Sequence, residues 1–510
     1  MKATKILGLV AIAWQGLFAS AYGHCSHSAA CCQRLSRAAG LSGKVYSPDS
    51  VSYADRMSTY WSVSAALLPW CVIQPSNAED VSVTITTLAS HNCSFGVRGG
   101  GHGSFAGSNS VENGVTIDFG NMNSTTYDPD TKLASIQPGA HWQTVYDTLA
   151  PHGVAVTGGR AGTVGVGGFI TGGGNSFHSA SHGFACDQVA NFEVVLANGS
   201  IVNANATSNS DLFQSLKGSG ANLGLVTRFD MYVIEFPDKK NPVVWGGNLV
   251  YNLTAGTEVI NALVDFTENV HKDENSSSIV YWAYIPNLGG TILNAAIENT
   301  VGKVKPAAFD QYYATGNIIQ DTTKVDRLST VANELGSGQP AGFRNVWFTL
   351  AFDNDARVMN YAVEQFDILN KNLEYAVGVD SGFNTLCMFQ PISKSMVDKG
   401  VAMGGNVMGL DYYITRGNGI MFLVTLAING ADNEAIAFDF IQAYTDDVYH
   451  YAASLDLAWK WKYLNYAHKV QDVIATFGEA AIGKLQAAST KYDPTGVFQK
   501  LRLSGFKIPG

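Results

Sequence analysis

Between Pro69 and Pro237, short apolar runs alternate with polar turns and clustered glycine. "CVIQPSNAEDVSVTITTLASHNCSFGVRGGGHG" predicts a strand, a helix and a second strand that runs into a glycine turn. Val81, Ile85 and Leu88 recur at helical spacing, and Ser76 with Glu79 has the spacing of a capping box. "GVTIDFGNMN" and "LASIQPGA" are short β-runs, each ended by turn residues. In "WQTVYDTLAPHG", Trp142, Val145, Tyr146 and Leu149 make one helical face that Pro151 and Gly153 stop. "VANFEVVLANGSIV" predicts a hairpin turning at Asn198-Gly199.

Beyond Asp238 the rhythm lengthens. "VVWGGNLVYNL", "SIVYWAYIPN" and "GIMFLVTLAI" predict strands; "GTEVINALVDFTENV" and "NEAIAFDFIQAYTDDVYHYAASL" predict helices. Such runs suggest an antiparallel sheet with helices packed on one face. The pattern predicts an α+β protein divided into an N-terminal extension (22–66), a glycine-rich domain (67–238), a second domain (239–459) and a C-terminal segment (460–510).

The N-terminus adds an address. Lys2 and Lys5 precede an apolar run from Ile6 to Phe18, followed by small residues around Ala19–Gly23, so residues 1–21 read as a cleaved secretory signal. That run is short for a bilayer span, and no later stretch replaces it. Sequons at Asn92, Asn123, Asn198, Asn205, Asn252 and Asn275 agree with export, as do seven cysteines in a chain whose oxidising compartment permits disulfides. A secreted monomer without a membrane anchor is the expectation. The 510 residues carry a net charge of −10 with no basic block, which argues against nucleic acid as a partner. His178, His182 and Cys186 fall at helical spacing but lack an evident fourth ligand, so no metal is expected.

Candidate chemistry lies in the glycines. "RGGGHGSFAG" sets His102 on a turn of small residues, and "GGRAGTVGVGGFITGGG" is too rich in branched apolar residues for a linker. Two such turns offer backbone N–H groups to the phosphates of a dinucleotide. Gly101 to Ala106 also satisfies G-x-G-x-x-A, but Gly107-Ser108-Asn109-Ser110 cannot open the helix which that motif requires.

"RGGGH", "DFGNMN", "PGAHWQTVYDTLAPHG", "TVGVGGFITGGG", "DLFQSLKGSGANLGLVTRFD", "YLNYA" and "KYDPTGVFQ" occur in the order found in FAD-linked oxidases of the berberine bridge enzyme-like group. These belong to the vanillyl-alcohol oxidase/p-cresol methylhydroxylase superfamily, and the chain resembles its secreted fungal members. The resemblance implies a p-cresol methylhydroxylase-type FAD-binding domain of two α+β subdomains. It also implies a substrate domain whose antiparallel sheet covers the flavin, and a C-terminal return to the first domain. It makes His102 the residue bonded to the flavin 8α-methyl carbon, and it places Arg98, Gly99, Gly100, Gly101, Gly103, Ser104, Thr163, Val164, Gly165, Gly167, Gly168, Gly172, Gly173 and Asn465 around the cofactor. Many members hold the flavin by a second bond from a cysteine where this chain has Ala161, so a single covalent bond is expected. Cys32 with Cys71 is the disulfide the resemblance implies.

The implied reaction is hydride transfer from a substrate C–H to flavin N5, with a base taking the coupled proton. Tyr463 is the first candidate for base or substrate orienter. If "WKYLNYA" is a strand, Trp461, Tyr463 and Asn465 share a face and Tyr466 points away. Asp411, in "GNVMGLDYY", is the second candidate, able to act as base or hold a tyrosine, or equally to cap a turn, and Tyr466 is the third catalytic candidate. Val164 stands where family oxidases carry a small branched residue over the oxygen-reactive face, which implies O2 as acceptor and H2O2 as product. The substrate is expected to be an alcohol, phenol or amine of fungal secondary metabolism. A sugar oxidase is the alternative, disfavoured by Ala161 and by His468 where sugar oxidases have an acid; a flavin-binding protein without redox turnover, or an isomerising cyclase, is the third reading.

Overall fold

Helix Ala78–Ser90 buries Val81, Ile85 and Leu88 against two sheets, as its apolar spacing requires. Its cap is one residue later than the sequence suggested. Asn77 Oδ1 accepts from the Asp80 N–H, while the Ser76 N–H donates to the Asp80 carboxylate. The structure is a computed structural model that describes residues 30–510; the proposed signal (1–21) and Cys25 lie outside the described residues.

The first sheet runs Val45–Tyr46, Cys71–Ile73, Val115–Asp118, Phe95–Arg98. The last three strands are parallel and buried on both faces, which explains why they read as continuous apolar runs rather than alternating ones. The second sheet is antiparallel, in the order Thr125–Asp128, Leu133–Ile136, Leu225–Tyr232, Val189–Val195, Ile201–Asn205. The last two strands form the hairpin predicted at Asn198-Gly199, with Gly199 at φ +83°.

Among the described residues a nine-stranded antiparallel sheet makes up the second half. Its two faces separate by the period of two along each strand. Val280, Trp282, Val346, Phe348 and Val424 face helices Gly256–Asn269, Ala356–Val377 and Ala431–Ser454. Ile279, Tyr281, Trp347, Leu423 and Thr425 face the other way, toward the glycine turns. The chain then returns to the first sheet: Phe498 meets Phe95 edge-on, and the Phe95 N–H donates to the Leu501 carbonyl at 2.9 Å.

Two disulfides tie the N-terminal segment down: Cys32–Cys71, the implied pair, and Cys31–Cys93. Cys186 and Cys387 are buried thiols. Among the described residues no helix is long and apolar enough to cross a membrane, and no group of His, Cys, Asp and Glu could hold a metal ion.

Candidate active site

A cavity of about 730 Å³ lies between the glycine turns and the free face of the large sheet. Its floor is made where the two turns touch. A Cβ built on Gly100 would stand 2.5 Å from the Gly165 Cα, and one on Gly165 would stand 2.4 Å from the Gly100 Cα. Both positions therefore need glycine for backbone-to-backbone contact. Gly168 is different: its Cβ would meet nothing within 4 Å, so its bare backbone is open to the cavity.

The first turn supplies donors. Among the described residues, no backbone N–H from Gly100 to Ser104 donates to a protein acceptor. In the second turn the N–H groups of Val166 and Gly167 are taken by the Ala140 and Pro138 carbonyls. Of the two turns expected to offer donors, the first has the free N–H groups.

Arg98 does not line the cavity. Its guanidinium is buried behind the turn, bonded to Asp118 at 3.2 Å and to the Thr59 carbonyl at 2.9 Å, and stacked on Tyr60. It fixes the strand end from which the turn springs. Gly172 and Gly173 also stay off the wall: a side chain at Gly172 would strike Asn465, and one at Gly173 would strike Met408. Thr163 sits behind His102, its Oγ1 3.5 Å from the imidazole Nε2, and its carbonyl accepts from His141. Gly99, Gly101, His102, Gly103, Ser104, Val164 and Asn465 line the cavity, as do Tyr463 and Tyr466.

His102 faces the cavity with its ring stacked on Trp61, centroids 4.4 Å apart and planes 9° from parallel. Desolvation, with a smaller contribution from His141, holds its pKa down to about 4, so the ring is neutral and keeps a nitrogen lone pair at neutral pH. Ala161 presents only a methyl group to the cavity, against Gly336.

At one end of the cavity stand polar atoms without partners. Ser108 Oγ, Asn109 Oδ1, Ser219 Oγ and Arg502 Nε are buried and bond to nothing in the protein. Arg502 is 2% exposed and pairs with no carboxylate among the described residues, only with Asn222 Oδ1 at 2.6 Å and with backbone carbonyls. Buried polar groups and cations normally find partners. Free N–H groups, unsatisfied hydroxyls and an unpaired guanidinium in one cavity fit a ligand rich in anionic oxygen, such as a dinucleotide.

At the other end, the tyrosine segment differs from the strand expected of it. Residues 461–466 run extended and then turn, the Tyr466 N–H donating to the Tyr463 carbonyl at 3.1 Å. Both tyrosines thus point the same way, with rings 4.9 Å apart and perpendicular. The Tyr463 hydroxyl accepts from the N–H groups of Gly174 (2.9 Å) and Asn175 (2.8 Å) and from Asn465 Nδ2 (3.2 Å). Burial pushes its pKa upward in spite of these donors. Its oxygen is committed to the backbone, which suits a positioning role. The Tyr466 hydroxyl is the more available one, 3.1 Å from Arg160 Nη2 and 3.3 Å from Gln390 Oε1. Asp411 stands apart: it is exposed on the short helix Leu410–Tyr413 and lines no part of the cavity.

Trp61, Arg160, Gln390 and Arg502 were not singled out from the sequence. Only Arg160 carried a local signal, as the one charge within a glycine run.

The FAD binding domain family matches residues 69–205. The chain is 36% identical over 490 residues to the FAD-dependent monooxygenase drtC of Aspergillus calidoustus, covering 94% of this chain and 90% of that protein. The chain belongs to a family of fungal FAD-dependent oxidoreductases whose relatives are named FAD-dependent monooxygenases. The fold agrees: berberine bridge enzyme from Eschscholzia californica superposes with a TM-score of 0.72 at 16% identity, covering 95% of this chain and 100% of that one. Glucooligosaccharide oxidase from Acremonium strictum, which carries 6-S-cysteinyl, 8α-N1-histidyl FAD, superposes with a TM-score of 0.71 at 19% identity over 91% of this chain and 97% of its own.

Proposed function

We propose that this FAD oxidoreductase holds its flavin by one covalent bond, from His102, and oxidises a small alcohol, phenol or amine with O2 as acceptor. The observation that carries the reading is the His102 imidazole, stacked on Trp61 at the cavity wall, with alanine at the position of the second tether. The histidyl linkage of the glucooligosaccharide oxidase supports the same assignment. Bound FAD would supply the hydride acceptor and pass the two electrons to O2, giving H2O2. The first turn's N–H groups and Arg502 would bind its phosphates, and Gly168 would leave room for it. Tyr463 would hold the backbone at Gly174 and Asn175 in place. Tyr466, beside Arg160 and Gln390, would hold the substrate oxygen and exchange a proton with it.

The relatives' name, monooxygenase, raises insertion of oxygen into the substrate as a second fate for O2. Peroxide released per substrate consumed separates the two: one for one supports the oxidase, and little peroxide with oxygenated product supports the monooxygenase. Sugar oxidation is a further alternative; reduction of the flavin by oligosaccharides but not by phenols or alcohols would establish it, and no reduction by any substrate would support the reading without redox turnover.

The reading also takes the chain to be a secreted, glycosylated monomer. Asn92, Asn123, Asn198 and Asn252 are exposed, Asn205 and Asn275 are half-buried, and the two disulfides suit an oxidising compartment.

The test of the linkage is acid precipitation of the yellow protein. Colour that stays in the pellet, and leaves it in His102→Ala, supports one histidyl bond. Colour released from the unaltered protein overturns the linkage and leaves an FAD enzyme.

A further inference from the structure

Arg160 is nine-tenths buried in the cavity wall, next to Ala161 and four residues before Val164. Its Nη2 donates to Gln390 Oε1 and, at 3.1 Å, to the Tyr466 hydroxyl. Gln390 Oε1 is also within 3.4 Å of Asn175 Nδ2, so the amide is held from two sides. The Arg160 Nε and Nη1 have no acceptor among the described residues, and no carboxylate lies within ion-pair distance. A guanidinium stays charged in any protein setting, and a buried one without an anion is costly.

The acid whose field reaches Arg160 does not relieve it. Glu298 is buried in strand Gly290–Asn299, its Oε2 has no partner, and burial lifts its pKa to about 8 against the pull of Arg160. Burial thus favours its protonated form, and it makes no ion pair with Arg160 among the described residues.

Aromatic and apolar side chains make much of the rest of this end, with Thr425 and Asn345 among them. Trp347 meets Tyr466 edge-on at 5.8 Å and Trp61 edge-on at 5.4 Å, and Met388 and Leu423 complete the sheet side. Such walls suit a planar ring, whose faces and edges aromatic neighbours accept in this arrangement.

We propose that the substrate is an acidic aromatic or enolic compound bound as its oxyanion, with that oxygen on Arg160 and Tyr466 and its ring against Trp347. The assignment rests on the functional reading above and narrows it from alcohols, phenols and amines to compounds that ionise. A neutral sugar or simple alcohol would give the guanidinium nothing to neutralise. An amine, cationic at neutral pH, would be repelled.

The probes are 4-nitrophenol, whose phenolate absorbs in the visible, and 4-nitroanisole, its uncharged methyl ether. Each is titrated into the flavin-loaded protein and followed by difference spectroscopy over a range of pH. Nitrophenol should bind at least tenfold more tightly than nitroanisole, with its ionisation lowered by about one unit or more, the shift an adjacent guanidinium gives. Arg160→Met should abolish both effects. Because that variant removes buried hydrogen bonds, Gln390→Glu is the second: it sets a carboxylate against Arg160 with little change of shape and should cancel the preference while the flavin spectrum persists. Arg160→Lys should keep part of it. A yellow wild-type protein that binds the two probes equally, or variants that leave the bound ionisation unchanged, overturn the assignment. A wild-type protein that takes up no flavin overturns instead the functional reading beneath it.

Discussion

Trp61 lies flat on His102, with the Trp61 backbone N–H donating to the Gly101 carbonyl and its indole Nε1 to the Gln339 carbonyl, so ring and turn are held together. The stack fixes the imidazole plane relative to the cavity. Trp61→Leu should leave flavin bound but move a large part of it from the acid pellet to the supernatant, whereas Trp61→Phe should retain most of the attachment. A stacked pair contributes about 0.5–1.5 kcal/mol beyond its burial, enough to change the orientation of a ring in a turn. An unchanged pellet fraction in the leucine variant would show that orientation comes from elsewhere.

Alanine substitutions at two glycines should part company. Gly100→Ala drives a methyl group into the Gly165 backbone, which has no flexible end to move aside, so a loss of about 1–3 kcal/mol or more and a colourless protein are expected. Gly168→Ala meets no protein atom and lies in helix Val166–Thr171, where alanine is favoured by about 0.5–1 kcal/mol. It should keep or raise the melting temperature while lowering flavin content. Equal flavin content in Gly168→Ala and wild type would place the cofactor away from that backbone.

The unpaired charge of Arg502 offers a test that separates binding from folding. In a His102→Ala background, Asn222→Asp places a carboxylate on the guanidinium at a contact of 2.6 Å. Affinity for FAD should fall about tenfold or more, the value of a charge-assisted hydrogen bond, and affinity for riboflavin, which has no phosphate, should not change. A parallel loss for both ligands would mean that the residue only holds the C-terminal segment.

Acid should weaken the fold through two histidines away from the reaction. Burial lowers the pKa of His178 to about 3 and that of His468 to about 4, with His182 and Lys469 adding to the effect. In the unfolded chain these rings take up protons below about 6.5, so the unfolded state holds the extra protons and stability falls as pH drops from about 6.5 towards 4. Glu298 acts in the opposite sense, binding its proton in the fold between about 8 and its ordinary value. The decisive comparison is therefore between proteins. Denaturation midpoints of His468→Gln should fall less steeply with acid than those of wild type, by up to about 1.4 kcal/mol per pH unit.

The sequence made the elements legible wherever one period dominated. The helix on Val81, Ile85 and Leu88, the hairpin at Gly199 and the long strands of the large sheet all stand where the pattern put them. The segment at Tyr463 misled because a tight turn between Tyr463 and Tyr466 overrides the alternation that a strand would impose. Glycine density located the cavity floor but not the division of labour within it. Whether a glycine touches protein or faces the cavity, as Gly100 and Gly168 do, depends on a turn more than sixty residues away. Trp61 and Arg502 reach the cavity, and Gln390 reaches Arg160 and Tyr466 in its wall, from separate parts of the chain, and no local spacing announces a meeting made only by the tertiary fold.

The disulfide between Cys32 and Cys71 encloses Trp61, so the tryptophan belongs to a closed ring of chain rather than to a loose arm. A ring of that kind loses much of its freedom before anything else is folded. It can be made only where thiols are oxidised, so the place of synthesis and the readiness of His102 to receive its partner become one question. A chain produced in a reducing cytosol would keep every residue of the site and still lack the clasp that sets Trp61 over the histidine.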